Sequence, residues 1–263
     1  PPSTLIKFYS LNQYSIDCLT NTYLYASHPW ELNDTYDSFV NKNKTTIIDE
    51  EEFPIFCLQN GVVSMSHPNN INHPLMWGHY TSHIGFAIEL DYSYIETMYH
   101  GPLQMNYLHN YPFPTPQEGF HDIPLILRIL FWSTIKHDVW KYENEWRFIS
   151  YLPDGAYKQP AYIDFSGNGE KDRKMKYTAK GINKIVLGTK FLIGENNHIT
   201  KNKRIHLNTQ NILKRKLLDF IIANNIASFS VGYTAIENFE YGLLEFDLHK
   251  KDGEYIIEPH YKK

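Results

Sequence analysis

Apolar and polar positions alternate with a period of two along residues 5–10 (LIKFYS), 23–27 (YLYAS), 61–66 (GVVSMS), 85–91 (GFAIELD) and 103–107 (LQMNY), and each reads as a strand. The period lengthens toward helical spacing over 12–21, opened by Asn12 as an N-cap, and over 74–83 (PLMWGHYTSH). A third helix is expected over IDEEEFPIFCL, weakened by Pro54. Residues 28–37 (HPWELNDTYD) form a loop, with Pro29 and the pair Asn33–Asp34 as breakers.

Residues 123–138 (IPLILRILFWSTIKHD) read as the most apolar helix, followed by a strand over 145–152 and a turn at 153–155. Strands are expected at 161–165 and 182–188, on either side of the basic loop GNGEKDRKMK. A long helix covers 208–224, and ASFSVGY and YGLLEFDL close the chain as strands. Helices and strands mix without strict β-α-β alternation, and no repeat or low-complexity linker divides them. The expectation is one α+β domain over 1–263, with a mixed or split central sheet flanked by helices.

The stretch DVWKYENEWRFISYL poses the functional question. At strand period Glu143, Glu145 and Arg147 point one way, while Asn144, Trp146 and Phe148 point the other. One face is apolar enough to be buried. The other is either a salt-bridged sheet surface or the wall of an active site. The Glu pair resembles the two carboxylates of a glycosidase, but neighbours on one strand are not opposed across a sugar, which argues against that arrangement.

Composition adds limits. The 263 residues are 42% hydrophobic and 15% aromatic, enough for a sizeable core with aromatic-lined pockets. The two cysteines, Cys18 and Cys57, form no spaced framework and sit in apolar contexts, so a reducing compartment and buried thiols are expected. No apolar run is long enough to span a bilayer, and the first ten residues lack a basic region followed by an apolar one. A soluble cytoplasmic protein without membrane partners is expected. The net charge of −4 conceals blocks: residues 1–165 carry −10, residues 166–216 carry +10 and the remainder −4. The basic block either steers a polyanion such as nucleic acid, through 171–216, or pairs with the acidic part inside the fold.

Several motifs stand in order: LIKFYSLN, HPWELNDTYD, PLMWGHYTSHIGFAIELD, VWKYENEWRFI and INKIVLG. The ordered set resembles a bacterial family known as domain-of-unknown-function family 2971, over residues 5–188. Tyr9 stands where that family has an Arg, and Asn33-Asp34-Thr35-Tyr36 where it has Asn-Asp-Pro-Phe. The order of elements is also similar to the ADP-ribosyltransferase superfamily. That looser resemblance implies NAD bound as substrate in the cleft of a split sheet, with a late Glu gripping the ribose. It implies Glu145, Tyr80 and His79 as catalytic residues, and Lys7, Tyr9, Tyr25, Asn33, Asp34, Trp77 and Arg147 as NAD contacts. No metal ligand is part of that reading. The chemistry needs a carboxylate, because nicotinamide departure leaves an oxocarbenium-like ribose. A macromolecular acceptor, a toxin or phage-defence role and a neutralising or regulatory protein partner complete the expectation.

Two other readings stay open. His79 and His83 are four apart, a helical metal-ligand spacing that lacks the Glu expected after the first His, with Glu89, Asp91, His67 or His73 as third ligands. This would make a metal-dependent nuclease or phosphoesterase. The other is a non-catalytic module binding a nucleotide or a protein. GNGEKDRK lacks the closing Lys-Ser/Thr of a phosphate loop.

Overall fold

The computed structural model describes residues 1–32, 58–95, 100–109, 124, 127, 130–131, 133–152, 155–158, 169–199, 204–233 and 241–260. In chain order the elements are β1 (Thr4–Tyr9), α1 (Gln13–Thr20), β2 (Tyr23–Tyr25), β3 (Asn60–Ser66), α2 (Pro74–Thr81) and β4 (Phe86–Asp91). There follow β5 (His100–Gln104), β6 (Asn106–Leu108), β7 (Ile135–His137), β8 (Glu145–Tyr151), β9 (Lys174–Lys176) and β10 (Ile182–Leu187). The chain continues with β11 (Asn196–Ile199), β12 (Ile205–Asn208), α3 (Ile212–Asn224), β13 (Ala227–Tyr233), β14 (Tyr241–Lys251) and β15 (Glu254–Pro259). A large mixed sheet with few helices is the α+β class that the patterning predicts.

The chain divides into two compact units. One comprises Pro2–Tyr23, Ser66–Ile95 and Lys176–Lys263, the other mainly Leu24–Met65 and Glu96–Met175. In the first, strands run in the order β11-β12-β15-β14-β13-β10-β4-β1. Pairing is antiparallel between β1 and β4 and between β4 and β10, and parallel between β10 and β13. The central strands β1, β4 and β10 are nearly continuous apolar runs, and Leu5, Ile6, Ala87, Ile88, Ile185 and Val186 are fully buried. Helix α1 starts where predicted, with the Asn12 side chain accepting from the Ser15 amide at 2.8 Å. Trp77 of α2 meets Phe8 of β1 edge-on at 5.3 Å and donates its indole N–H to the Ile71 carbonyl at 2.7 Å. Gly85 is required at the head of β4, since a Cβ there would lie 2.0 Å from the Tyr9 carbonyl oxygen.

In the second unit β8 stands between β3 and β5. A separate parallel pair, β6 and β7, aligns Leu108 with His137. Here the structure departs from the expected apolar helix. Helical turns are described only at 127 and 130–131, and residues 135–137 are a strand followed by a 3₁₀ turn, Asp138–Glu143. The β-branched Thr134 and Ile135 and the bonds to β6 override helical periodicity. Residues 103–107 form not one strand but the ends of two, β5 and β6, separated by Met105. The expected helix at IDEEEFPIFCL, the turn at 153–154 and the strand at 161–165 lie outside the described residues, apart from Leu58. No described helix is long and apolar enough to cross a membrane.

Candidate functional site

The segment 133–151 folds so that four charges meet. Asn144 takes a left-handed conformation (φ 41°, ψ 54°) and reverses the chain between the 3₁₀ turn and β8. Asn tolerates that conformation better than most residues. Lys136, on β7, extends its ammonium to Glu143 at 2.6 Å and Glu145 at 2.8 Å. Arg147 Nε donates to the other oxygen of Glu145 at 2.7 Å, and its Nη1 donates to the Ser133 carbonyl at 2.9 Å. Lys136 also lies 5.3 Å from the Trp140 ring centre. The Glu145 backbone is satisfied as well: its N–H donates to the Tyr107 hydroxyl at 2.8 Å, and its carbonyl accepts from the Met105 amide.

All four charged residues are buried, Arg147 completely and Lys136 to within 6%. Two cations balance two anions in a water-poor site. Burial pushes the Glu145 carboxyl up, but Arg147 and then Lys136 outweigh it and hold it at about 2. Tyr107 is pushed up by its burial. The cluster resolves the alternative posed by the sequence in an unexpected way. Residues 145–150 are buried on both faces of β8, so the carboxylate row is not an exposed ladder paired with the basic block. Its lysine partner is Lys136, hidden in the sequence inside what reads as an apolar helix. The polar break Lys136-His137-Asp138 was the available signal.

Arg147 and Glu145 are thus brought together. Tyr25, at 37% exposure, belongs to the edge of β2. Asn33 and Asp34 lie outside the described residues. The other sequence candidates belong to the first unit. Lys7 is half-buried on β1. Tyr9 is buried, stacks on Phe86 at 5.2 Å, and among the described residues its hydroxyl has no hydrogen-bond partner. Burial drives that phenol well above its ordinary value. Trp77 is fully buried in the core, His79 is exposed in the last turn of α2, and Tyr80 is half-buried, its carbonyl accepting from Ser10.

The helical His79/His83 spacing is corrected by the fold. Helix α2 stops at Thr81, Ser82 is left-handed and His83 has φ 62°, so the two rings do not share a helix face. Three of the four third-ligand candidates have other work. His67 and Asp91 accept from the amides two residues ahead, and Glu89 pairs with Lys184 at 2.6 Å. Burial and then Lys190 lower the His83 pKa. Cys18 is buried, as its apolar context predicts.

The basic block is partly spent inside the fold. Lys184 neutralises Glu89, Lys214 reaches Glu195 at 2.6 Å, and Arg173 donates to the Asn60 and Lys158 carbonyls. Lys174, Lys176, Lys190, Arg204, Arg215 and Lys216 stay exposed. Comparison with family models, curated proteins and solved structures finds no match in any of the three. The family resemblance therefore rests on the ordered motifs alone.

Proposed function

We propose that the chain is an ADP-ribosyltransferase-like enzyme that cleaves NAD and passes ADP-ribose to a macromolecule, as a toxin or phage-defence effector. The observation that carries this reading is the Glu-x-Glu head of β8. Its second carboxylate, Glu145, stays ionised across the physiological range, as stabilisation of an oxocarbenium ion requires. The ordered motif set supports the same reading from the sequence.

The geometry sets a condition on the mechanism. Both oxygens of Glu145 are engaged by cations and the residue is 3% exposed. A ribose hydroxyl could reach it only where Lys136 gives up its contact, Arg147 then keeping the carboxylate oriented. Arg147 and Tyr25, which share a unit with Glu145, are the described NAD contacts that this reading keeps. The exposed cations of residues 174–216 favour a polyanionic acceptor such as nucleic acid.

The test is nicotinamide release from labelled NAD by the wild-type chain, alone and with cell lysate. Release and label transfer are expected, and Glu145→Gln should abolish both. Because Glu145→Gln also perturbs the ion cluster, its melting curve is recorded beside its activity. A folded Glu145→Gln variant with undiminished turnover would overturn the assignment, and absence of release by the wild type would overturn the activity.

A further inference from the structure

A second group of side chains lies one residue beyond the charged cluster, on strand ends that the sequence did not link. In the parallel pair β6/β7, Leu108 aligns with His137, so the next residues, His109 and Asp138, leave the two strands side by side. His109, His137 and Asp138 each present a donor atom within 4.8 Å of the others. The imidazole centres are 5.9 Å apart and inclined at 50°. Alternation on β7 sends Lys136 into the buried cluster and leaves His137 on the opposite side.

We propose that His109, His137 and Asp138 form a binding site for a first-row divalent metal ion, with its remaining coordination positions open to water or a substrate oxygen. Two imidazoles and a carboxylate suit zinc or its transition-metal neighbours, not calcium or magnesium.

The distances are compatible with an ion held between the groups as well as with direct hydrogen bonds. His109 Nδ1 stands 3.2 Å from Asp138 Oδ2, and His137 Nδ1 stands 3.2 Å from Asp138 Oδ1. A charge-assisted hydrogen bond is about 2.7–2.9 Å. This chain makes such a bond elsewhere, between His260 and Asp247, at 2.8 Å. Two donors bound tetrahedrally at ~2.0–2.1 Å stand roughly 3.3 Å apart, close to the observed spacing. Asp138 Oδ2 thus faces His109 Nδ1 at a spacing that an ion between them would set. The Val139 amide donates to His137 Nδ1 at 3.2 Å, a capping bond that fixes the ring and occupies that nitrogen's lone pair, leaving Nε2 as the nitrogen with which His137 would ligate.

Exposure fits an open site. The His109, His137 and Asp138 side chains are 80%, 33% and 38% exposed, so ligands can enter from solvent. Three protein ligands with a vacant position is the pattern of zinc sites that activate water, whereas structural sites are closed by four.

The test uses the full chain, stripped of metal by chelator, with cobalt(II) and zinc(II) as probes. Cobalt is read by its visible d–d absorption, and zinc by calorimetry and by the shift in melting temperature. One equivalent of each should bind, with zinc raising the melting temperature. His109→Ala and Asp138→Asn should each weaken binding at least tenfold, about 1.4 kcal/mol. His100→Ala, an exposed histidine of the same unit, should leave it unchanged. Because His109 is so exposed, its variant should melt as the wild type does without metal. Failure of the wild type to bind either ion would overturn the proposal. So would unaltered affinity in folded His109→Ala and Asp138→Asn, since the ion would then sit elsewhere on the surface. The outcome is independent of NAD turnover, so this site and the proposed activity stand or fall separately.

Discussion

Lys136→Met tests the energetics of the buried cluster most directly. The ammonium it removes is shared by Glu143 at 2.6 Å and Glu145 at 2.8 Å, in a place where Lys136 is only 6% exposed. Glu145 retains Arg147, but Glu143, itself 2% exposed, loses its ammonium partner. Breaking one side of a buried ion pair costs about 3–5 kcal/mol, chiefly because the remaining charge is stranded. In a chain of this size each kcal/mol is worth roughly 2–4 °C in melting temperature. The expected fall at neutral pH is therefore about 6–20 °C, followed by calorimetry and by urea denaturation. High salt should alter it little, since a buried pair is poorly screened. The double variant Lys136→Met/Glu143→Leu should be more stable than Lys136→Met alone, because it removes the buried carboxylate together with the ammonium that balanced it. A loss under about 1 kcal/mol for the single variant, or no recovery in the double, would refute the claim that these ion pairs hold the head of β8.

Three further outcomes are expected. The folded Glu145 carboxyl is held at about 2, below its ordinary 4.5, so its stabilising contribution is complete above pH 4.5 and is lost as pH falls toward 2; acid titration followed by circular dichroism should show destabilisation in that window, weakened in Glu145→Gln, and an unchanged acid limb would count against the cluster. Gly85→Ala should cost about 3 kcal/mol or more, because its Cβ would meet the Tyr9 carbonyl oxygen at 2.0 Å; a melting temperature within a degree or two of wild type would show that β1 and β4 can part. Tyr9→Phe should be neutral or stabilising by up to about 1 kcal/mol, since it deletes a buried hydroxyl without a described partner. A clear loss of stability would show that the hydroxyl is already bonded within the fold.

Where the chain's pattern is local, the sequence was sufficient. Strands β1, β3, β4, β8, β10 and β13, the Asn12 cap, and the start of α2 lie within a residue or two of where alternation and capping chemistry place them. These signals survive because each is decided by neighbours close in sequence. The pairing of Glu145 with Arg147 also follows from the two-residue repeat of a strand. The third partner does not. Lys136 sits in a run whose apolar content reads as helix, and only the bonds of β7 to β6 turn it into a strand that aims its ammonium at both carboxylates.

The same pairing brings His109 beside His137 and Asp138 across 28 residues of sequence, a separation that no local spacing rule spans. Conversely, the His79/His83 spacing is visible in the sequence and dissolves in the fold, because the helix ends between them at a left-handed Ser82. Burial was the other property that only the tertiary structure decided. A row of charges on a strand looks the same in sequence whether water or protein covers it. Here both faces of β8 are covered, so charges that would be weakly coupled on a surface become a balanced, strongly coupled interior cluster.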